Sequence, residues 1–514
     1  MRHPAPWQRR YDNLALLALL FGILSQYVFV GNGFNVSVPI FVAAFYGLFF
    51  YAVRGRIGGF ERWRGQTKSG WLLTLPVGLL SLTFALFADD DFRTLNLFIL
   101  PALIAAQTVL LTRNSDKPWF RPRFYGDVLT LALVQPFAYV AVPFGLLANR
   151  LMPKPEGGGR RTAGKARRIA IGLLLAAPPL LVVTVLLATA DQIFGDLIWR
   201  VPSLLLRADA FEGAARIIVG AWFALYAFCY LWALLFNRSD PQAAELKRTL
   251  WLEAETETSG AAEKREPFGF DPLTANTLLI SFNAVYLVFA AIQFSYLFGA
   301  ANGLLPDGAA YADYARQGFA QLVAVAVINL LLLLGGLHAV RQGSPLERRA
   351  RRLSLSLLVG FTVVMLVSAF SRLSLYEDAY GFTRTRLLVH GFMIILCFVL
   401  AVSLIRIWRD RFPLAKSYIA IGLAAYVAFN YANLDRMIAA KNAERYEASG
   451  NIDMAYMMTL SADAVPPLLQ LRDRHPEGVE GLEVVFASIR ERSEGSGGWP
   501  AWNRSKSRAL RELR

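Results

Sequence analysis

SRLSLYEDAYGFTRTR, residues 371–386, lies between two long apolar runs, 353–371 and 386–407. Its sixteen residues carry five charges, Arg372, Glu377, Asp378, Arg384 and Arg386. That is too polar for membrane core and too short for a domain. An α-helix needs about 20 apolar residues to cross the hydrocarbon layer, so the flanking runs read as transmembrane helices and the stretch as their connection. Comparable runs occur at 13–30, 36–53, 71–88, 94–112, 169–189, 213–236, 273–298, 318–340 and 413–431. The fold class that follows is all-α: a polytopic transmembrane helix bundle of about eleven spans.

Composition agrees. Hydrophobic residues make up 55% of the 514 and charged residues 18%, with a mean hydropathy of +0.40; soluble chains carry about 25% charge. The net charge of +15 is spread over short connectors rather than gathered on one surface, which argues against nucleic acid as a partner. The basic connectors RGRIGGFERWRGQTK (54–68), RLMPKPEGGGRRTAGKARR (150–168), RQGSPLERRARR (341–352) and RIWRDR (406–411) fall on one side if the N-terminus is inside. The positive-inside rule makes that side cytoplasmic and puts the C-terminus outside. Residues 124–149 lie between two such connectors and contain Pro136 and Pro143, so a re-entrant or interfacial segment is expected there instead of a crossing. The loop 191–211 is amphipathic and is expected along the outer interface. Both cysteines, Cys229 and Cys397, fall inside spans and offer no disulfide framework.

The expected domains are a transmembrane helical domain over 1–431, including a cytoplasmic loop at 237–272, a small helical extracytoplasmic domain over 432–494, and a loose basic tail over 495–514. Within the spans, Asn276, Asn283 and Gln293 line up with Tyr286 near one helical face, a pattern suited to hydrogen bonds between helices. His390 and His338 stand alone near helix ends and form no metal-ligand pattern. No nucleotide, nucleophile-elbow or metal motif is present, and no cofactor is implied.

Three groups of polar residues could hold a ligand on the outer side. Asp89, Asp90 and Asp91 form an acidic rim that reads either as a solvated turn or as the carboxylates a transferase of lipid-linked substrates would use. YADYARQGF (311–319) brings Asp313 and Arg316 just before a span. In the opening stretch Arg372, Tyr376 and Tyr380 share a helical face, Glu377, Gly381 and Arg384 the adjoining one, with Asp378 and Arg386 beside them. Together these form a candidate vestibule for an anionic or sugar-like group. Glu377 and Asp378 are expected to pair with Arg384, Arg386 or Arg316, and Tyr376 and Tyr380 to pack towards Asn433 and Asp435.

NGFNVSVPIFVAAFYGLFF (32–50), YARQGFAQL (314–322), SAFSRLSLYEDAYGFTRTRL (368–387) and NLDRMIAAKNAERYEASGNIDMAYMMTLSADAVPPLLQL (433–471) resemble the bacterial polytopic membrane family known as domain of unknown function 4153, with its close relative 4173. The resemblance implies a bacterial plasma membrane location and brings no activity with it. The function expected is that of a non-enzymatic, transporter-like or accessory membrane protein whose partners are the bilayer and an anionic or lipid-linked small molecule. A membrane-embedded transferase and a sensory or scaffolding role are the alternatives.

Overall fold

The computed structural model describes residues 12–57, 66–151, 210–236, 270–300, 319–341, 343–494 and 497–514. The span expected at 169–189, the loop 191–211, most of the loop 237–272, and Asp313 and Arg316 lie outside them. The described residues are helical and contain no strand, only an isolated bridge between Phe270 and Val340. Among them eight helices are long and apolar enough to cross a membrane. Two further helices expected as spans, Asn13–Phe29 and Ser37–Val53, are apolar but shorter.

One of the eight is Pro122–Leu146, where a non-crossing segment is expected from the prolines. Pro136 does disturb the helix: α-helical turns give way to a π turn at Thr130–Val134 and a 3-10 turn at Gln135–Tyr139. The backbone absorbs the missing N–H by changing its hydrogen-bond pitch rather than by reversing there.

The chain packs as two compact units, Met1–Ser239 with Arg492–Arg514, and Asp240–Glu491. Hydropathy separates membrane from solvent, whereas packing separates groups of helices, so this division differs from a boundary at 431.

The first unit holds α1 (Asp12–Phe29), α2 (Ser37–Ile57), α3 (Gln66–Leu72), α4 (Thr74–Leu86), α5 (Asp90–Thr112), α6 (Pro122–Leu129), α7 (Ala141–Leu151) and α8 (Ala210–Phe236). α1 and α8 run antiparallel, since Gly22 faces Gly220 and Ala224 while Arg216 reaches Gln26. A Cβ on Gly22 would lie 2.7 Å from that of Ala224. Small residues let the two backbones approach, as membrane helices do where packing replaces the hydrophobic effect. Thr108 and Tyr230 join α5 to α8 at 2.5 Å, and Gln107 links Tyr46 to Thr74.

The second unit holds α9 (Pro272–Ala300), α10 (Phe319–His338), α11 (Pro345–Tyr380), α12 (Arg384–Trp408) and α13 (Leu414–Ala432). α11 starts on a capping box: Ser344 Oγ accepts from Glu347 N at 3.3 Å, and Glu347 Oε2 accepts from Ser344 N at 2.6 Å. Its 36 residues make a rod of about 54 Å at 1.5 Å per residue, longer than the ~30 Å hydrocarbon layer. Both of its charged ends therefore project past the apolar middle. Asn276 Nδ2 donates to Glu347 O at 3.0 Å and Asn283 Nδ2 to Ser354 O at 2.8 Å, so α9 runs parallel to α11. Deeper in, Tyr286 OH donates to Asn329 Oδ1 at 2.7 Å, and Asn329 Nδ2 to Thr362 Oγ1 at 2.9 Å. Val285, Leu287, Val288, Leu331 and Phe398 are each at least 60% exposed. A bundle apolar on its outside as well as its inside suits lipid as its solvent, and these helices point to a membrane location.

After Asn433 the second unit continues as α14 (Leu434–Ser449), α15 (Met454–Met457), a 3-10 turn at Ala462–Ala464, α16 (Val465–Arg474) and all but the last two residues of α17 (Leu482–Ser493). Leu434, Ile438, Leu460, Val465, Leu468 and Leu471 are buried in this extension. The expected loose tail is corrected. A 3-10 turn at Trp499–Ala501 and α18 (Arg504–Glu512) belong to the first unit, held by Asn503, whose Nδ2 donates to Phe84 O at 2.9 Å and Phe87 O at 2.8 Å. One buried side-chain amide satisfies two carbonyls at the open end of α4, which a reading of charge alone does not reveal.

Candidate functional site

The site sits in the second unit, where α11 turns into α12 and meets the extension. α11 ends because Gly381 adopts φ +85°, a region open to glycine, with its N–H bonded to Glu377 O at 2.7 Å. A Cβ there would also lie 2.7 Å from Asn442 Oδ1. Asn442, on α14, reads the turn as a neighbouring strand would. Its Oδ1 accepts from Phe382 N at 3.0 Å and its Nδ2 donates to Phe382 O at 2.8 Å. Arg445, one turn on, donates from Nε to Asp378 O at 3.0 Å and from Nη2 to Ala379 O at 2.6 Å. Those carbonyls are left over at a helix C-terminus, where a cation is favoured.

Arg384 opens α12 and pairs with Asp435 of α14, whose side chain is 2% exposed. Asp435 Oδ2 also accepts from Ser461 N at 2.9 Å, and Arg384 N donates to Tyr456 OH at 2.8 Å. Asp435 is therefore satisfied from two elements. Arg386 donates to Gly381 O and lies over the Tyr376 ring, 4.4 Å from its centroid, while Tyr376 and Tyr380 pack ring to ring at 4.7 Å.

Glu377 points the other way, into the α11–α12 contact. Its side chain is 2% exposed, with Oε2 3.2 Å from His390 Nδ1. Oε1 is buried without a hydrogen-bond partner. His390 Nε2 lies 3.4 Å from Ser374 Oγ and 3.4 Å from Phe370 O. Phe370, Ser374 and Glu377 are spaced i, i+4 and i+7 on one helical face, and the imidazole from α12 lies across it. With Nδ1 turned to the carboxylate, Nε2 faces both the serine hydroxyl and the Phe370 carbonyl.

The expected pairings within 371–386 give way to longer-range ones. Glu377 takes His390 in place of an arginine, and Arg384 takes Asp435. Asp378 contributes its carbonyl to Arg445. Arg384, not Tyr376 or Tyr380, makes the link to Asp435, because the tyrosines are occupied with each other and with Arg386. Arg372 is half-buried one turn before Tyr376 on the same helix.

Asp89, Asp90 and Asp91 belong to the first unit. Asp89 caps α5, accepting from Asp91 N at 3.1 Å and Phe92 N at 3.2 Å, and Asp90 pairs with Arg93 at 3.3 Å. Among the described residues no three His, Cys, Asp or Glu side chains group as a metal site.

Sequence reasoning passed over Ser374, Asn442 and Arg445, and read His390 as isolated. A signal for His390 was present. Ser374 and His390 lie equally far from Phe382, the middle of the turn between α11 and α12, which is where facing residues of an antiparallel hairpin fall.

Neither the curated proteins nor the solved structures contain a match to this chain. A family model, domain of unknown function DUF4153, matches residues 74–471. That span covers more than half the chain and runs from α4 through the 371–386 turn to α16; the resembling stretch at 32–50 lies outside it. The chain belongs to the DUF4153 family.

Proposed function

We propose that this protein is a non-enzymatic accessory protein of the bacterial plasma membrane, with a cytoplasmic N-terminus and an extracytoplasmic extension that couples an outside event to α11 and α12. One observation carries this reading. The arginines that would line an open vestibule are engaged where the extension meets the helix ends: Arg384 by Asp435 of the extension and Arg386, within the turn, by Gly381 O and the Tyr376 ring, while Arg445 of the extension holds the last carbonyls of α11. Such a junction transmits movement of α14 to the α11–α12 pair. It leaves less room for an anionic or sugar-like ligand than the sequence pattern offers. A transporter-like role fits only if the extension moves aside.

The second reading is a membrane-embedded transferase acting on a lipid-linked substrate. The Ser374–His390–Glu377 arrangement favours it, because a carboxylate that orients an imidazole beside a hydroxyl is the arrangement that activates a nucleophile. Native mass spectrometry of the protein extracted with its own lipids separates the two. A stoichiometric protein partner supports the accessory role. A retained lipid-linked carrier, lost in Ser374→Ala, supports the transferase and removes the first reading.

A further inference from the structure

We infer that residues 497–514 form a binding surface for anionic lipid headgroups, through which the first unit is seated at one membrane face. The segment is fastened to the ends of the membrane helices. Gly498 N donates to Asn32 Oδ1 at 2.9 Å, Val36 N to Trp502 O at 3.2 Å, and Asn503 Nδ2 to the carbonyls of Phe84 and Phe87. These partners lie where α1 and α4 stop and α2 begins, the level at which hydrocarbon gives way to headgroups.

Two kinds of side chain are displayed there. Trp499 and Trp502 are 57% and 48% exposed, and Tyr27 and Phe34 are each 46% exposed. Trp499 Nε1 donates to Tyr27 OH at 3.1 Å, so the polar tips of this pair are joined while their apolar bodies stay uncovered. Large amphipathic rings at a helix end are the side chains that partition to a membrane interface.

α18 supplies the charge. Asn503, Ser505 and Ala509 are buried against the first unit, while Arg504, Arg508 and Arg511 are exposed. Their i, i+4, i+7 spacing puts the three arginines on one face of the helix. Arg508 Nε is shared with Glu512 at 2.7 Å and Arg511 Nε with Ser507 O at 3.3 Å. Guanidinium groups suit phosphate geometry. Exposed indoles beside a basic helical stripe, at the ends of membrane helices, match a phosphodiester headgroup over an acyl chain in both charge and polarity. A soluble acidic partner would use the arginines and leave the indoles in water.

The test uses the full chain in phosphatidylcholine nanodiscs doped with brominated phosphatidylglycerol or, at the same mole fraction, brominated phosphatidylcholine. Bromine quenches nearby indoles, and the signal lost in Trp499→Phe/Trp502→Phe isolates the two of interest. The anionic lipid should quench that signal more strongly. Arg504→Gln/Arg508→Gln/Arg511→Gln should remove the preference, at about fivefold in local lipid affinity per arginine. The corresponding Lys variants, with the charge kept, should retain it. Equal quenching by the two lipids in the unaltered chain, or a preference that survives the Gln variant while its helix content is intact, overturns the inference.

Discussion

Glu377 Oε2 lies 3.2 Å from His390 Nδ1, joining the last turns of α11 to the first turns of α12, while the second carboxylate oxygen is buried with no hydrogen-bond partner. Leaving such an oxygen dry in the protein is costly. Glu377→Gln would place an amide against the imidazole and keep the shape. It should leave the folded state intact, whereas His390→Ala strips the buried carboxylate of its imidazole partner and should lower the thermal midpoint in detergent well below that of Glu377→Gln. Equal midpoints would show that the pair contributes nothing to the turn.

Arg384 and Asp435 allow a double-mutant cycle. Arg384→Ala leaves a carboxylate that is 2% exposed without its counter-charge, a loss of about 3–5 kcal/mol. Arg384→Ala/Asp435→Asn should recover part of it, because the neutral amide no longer needs a cation. Additive losses would mean that the two residues do not interact.

Gly381→Ala introduces strain at φ +85° and a clash with Asn442. A loss of about 1–3 kcal/mol is expected, together with faster limited proteolysis between α13 and α14 as the extension loosens. Gly360→Ala, at a helical position where a Cβ meets nothing within 4 Å, is the control and should be neutral.

In the middle of the second unit, Asn329 bridges Tyr286 and Thr362. Asn329→Leu should cost about 0.6–2 kcal/mol per lost contact in detergent unfolding, and Tyr286→Phe less, since it removes one bond of the two. No loss in either variant would remove hydrogen bonding as the reason α9, α10 and α11 stay together.

Lys506 supplies a pH dependence. Burial, reinforced by Arg93, holds its ammonium below the ordinary lysine value of 10.5. The undocked segment therefore binds more protons than the docked one in the window between the lowered value and 10.5. Docking should strengthen as pH rises through that window, read as slower carboxypeptidase trimming relative to a peptide of the same sequence. In Lys506→Met this pH dependence should disappear.

Cysteine-accessibility labelling tests the orientation proposed from the charge rule. Glu61→Cys and Gly158→Cys should react only from the cytoplasmic side, which requires that Pro122–Leu146 not cross, and Ser449→Cys only from the opposite side. Reaction of Ser449→Cys from the cytoplasm would reverse the proposal for the extension.

Local chemistry was legible in the sequence. Apolar runs of membrane length and the basic connectors each depend on residues a few positions apart, and so leave a local pattern. The partners of the charges were not legible. Glu377 and Asp378 are neighbours in sequence, yet the helical repeat turns Glu377 inwards to His390 and leaves Asp378 exposed. Arg384 is matched with Asp435, far along the chain, only because α13 carries α14 back to that end of the second unit. The tail shows the same limit. A run rich in arginine reads as loose, and Asn503 fixes it through two carbonyls of a helix more than four hundred residues earlier. Periodicity specifies which face of a helix is apolar; which buried polar group meets which is decided by how those faces pack.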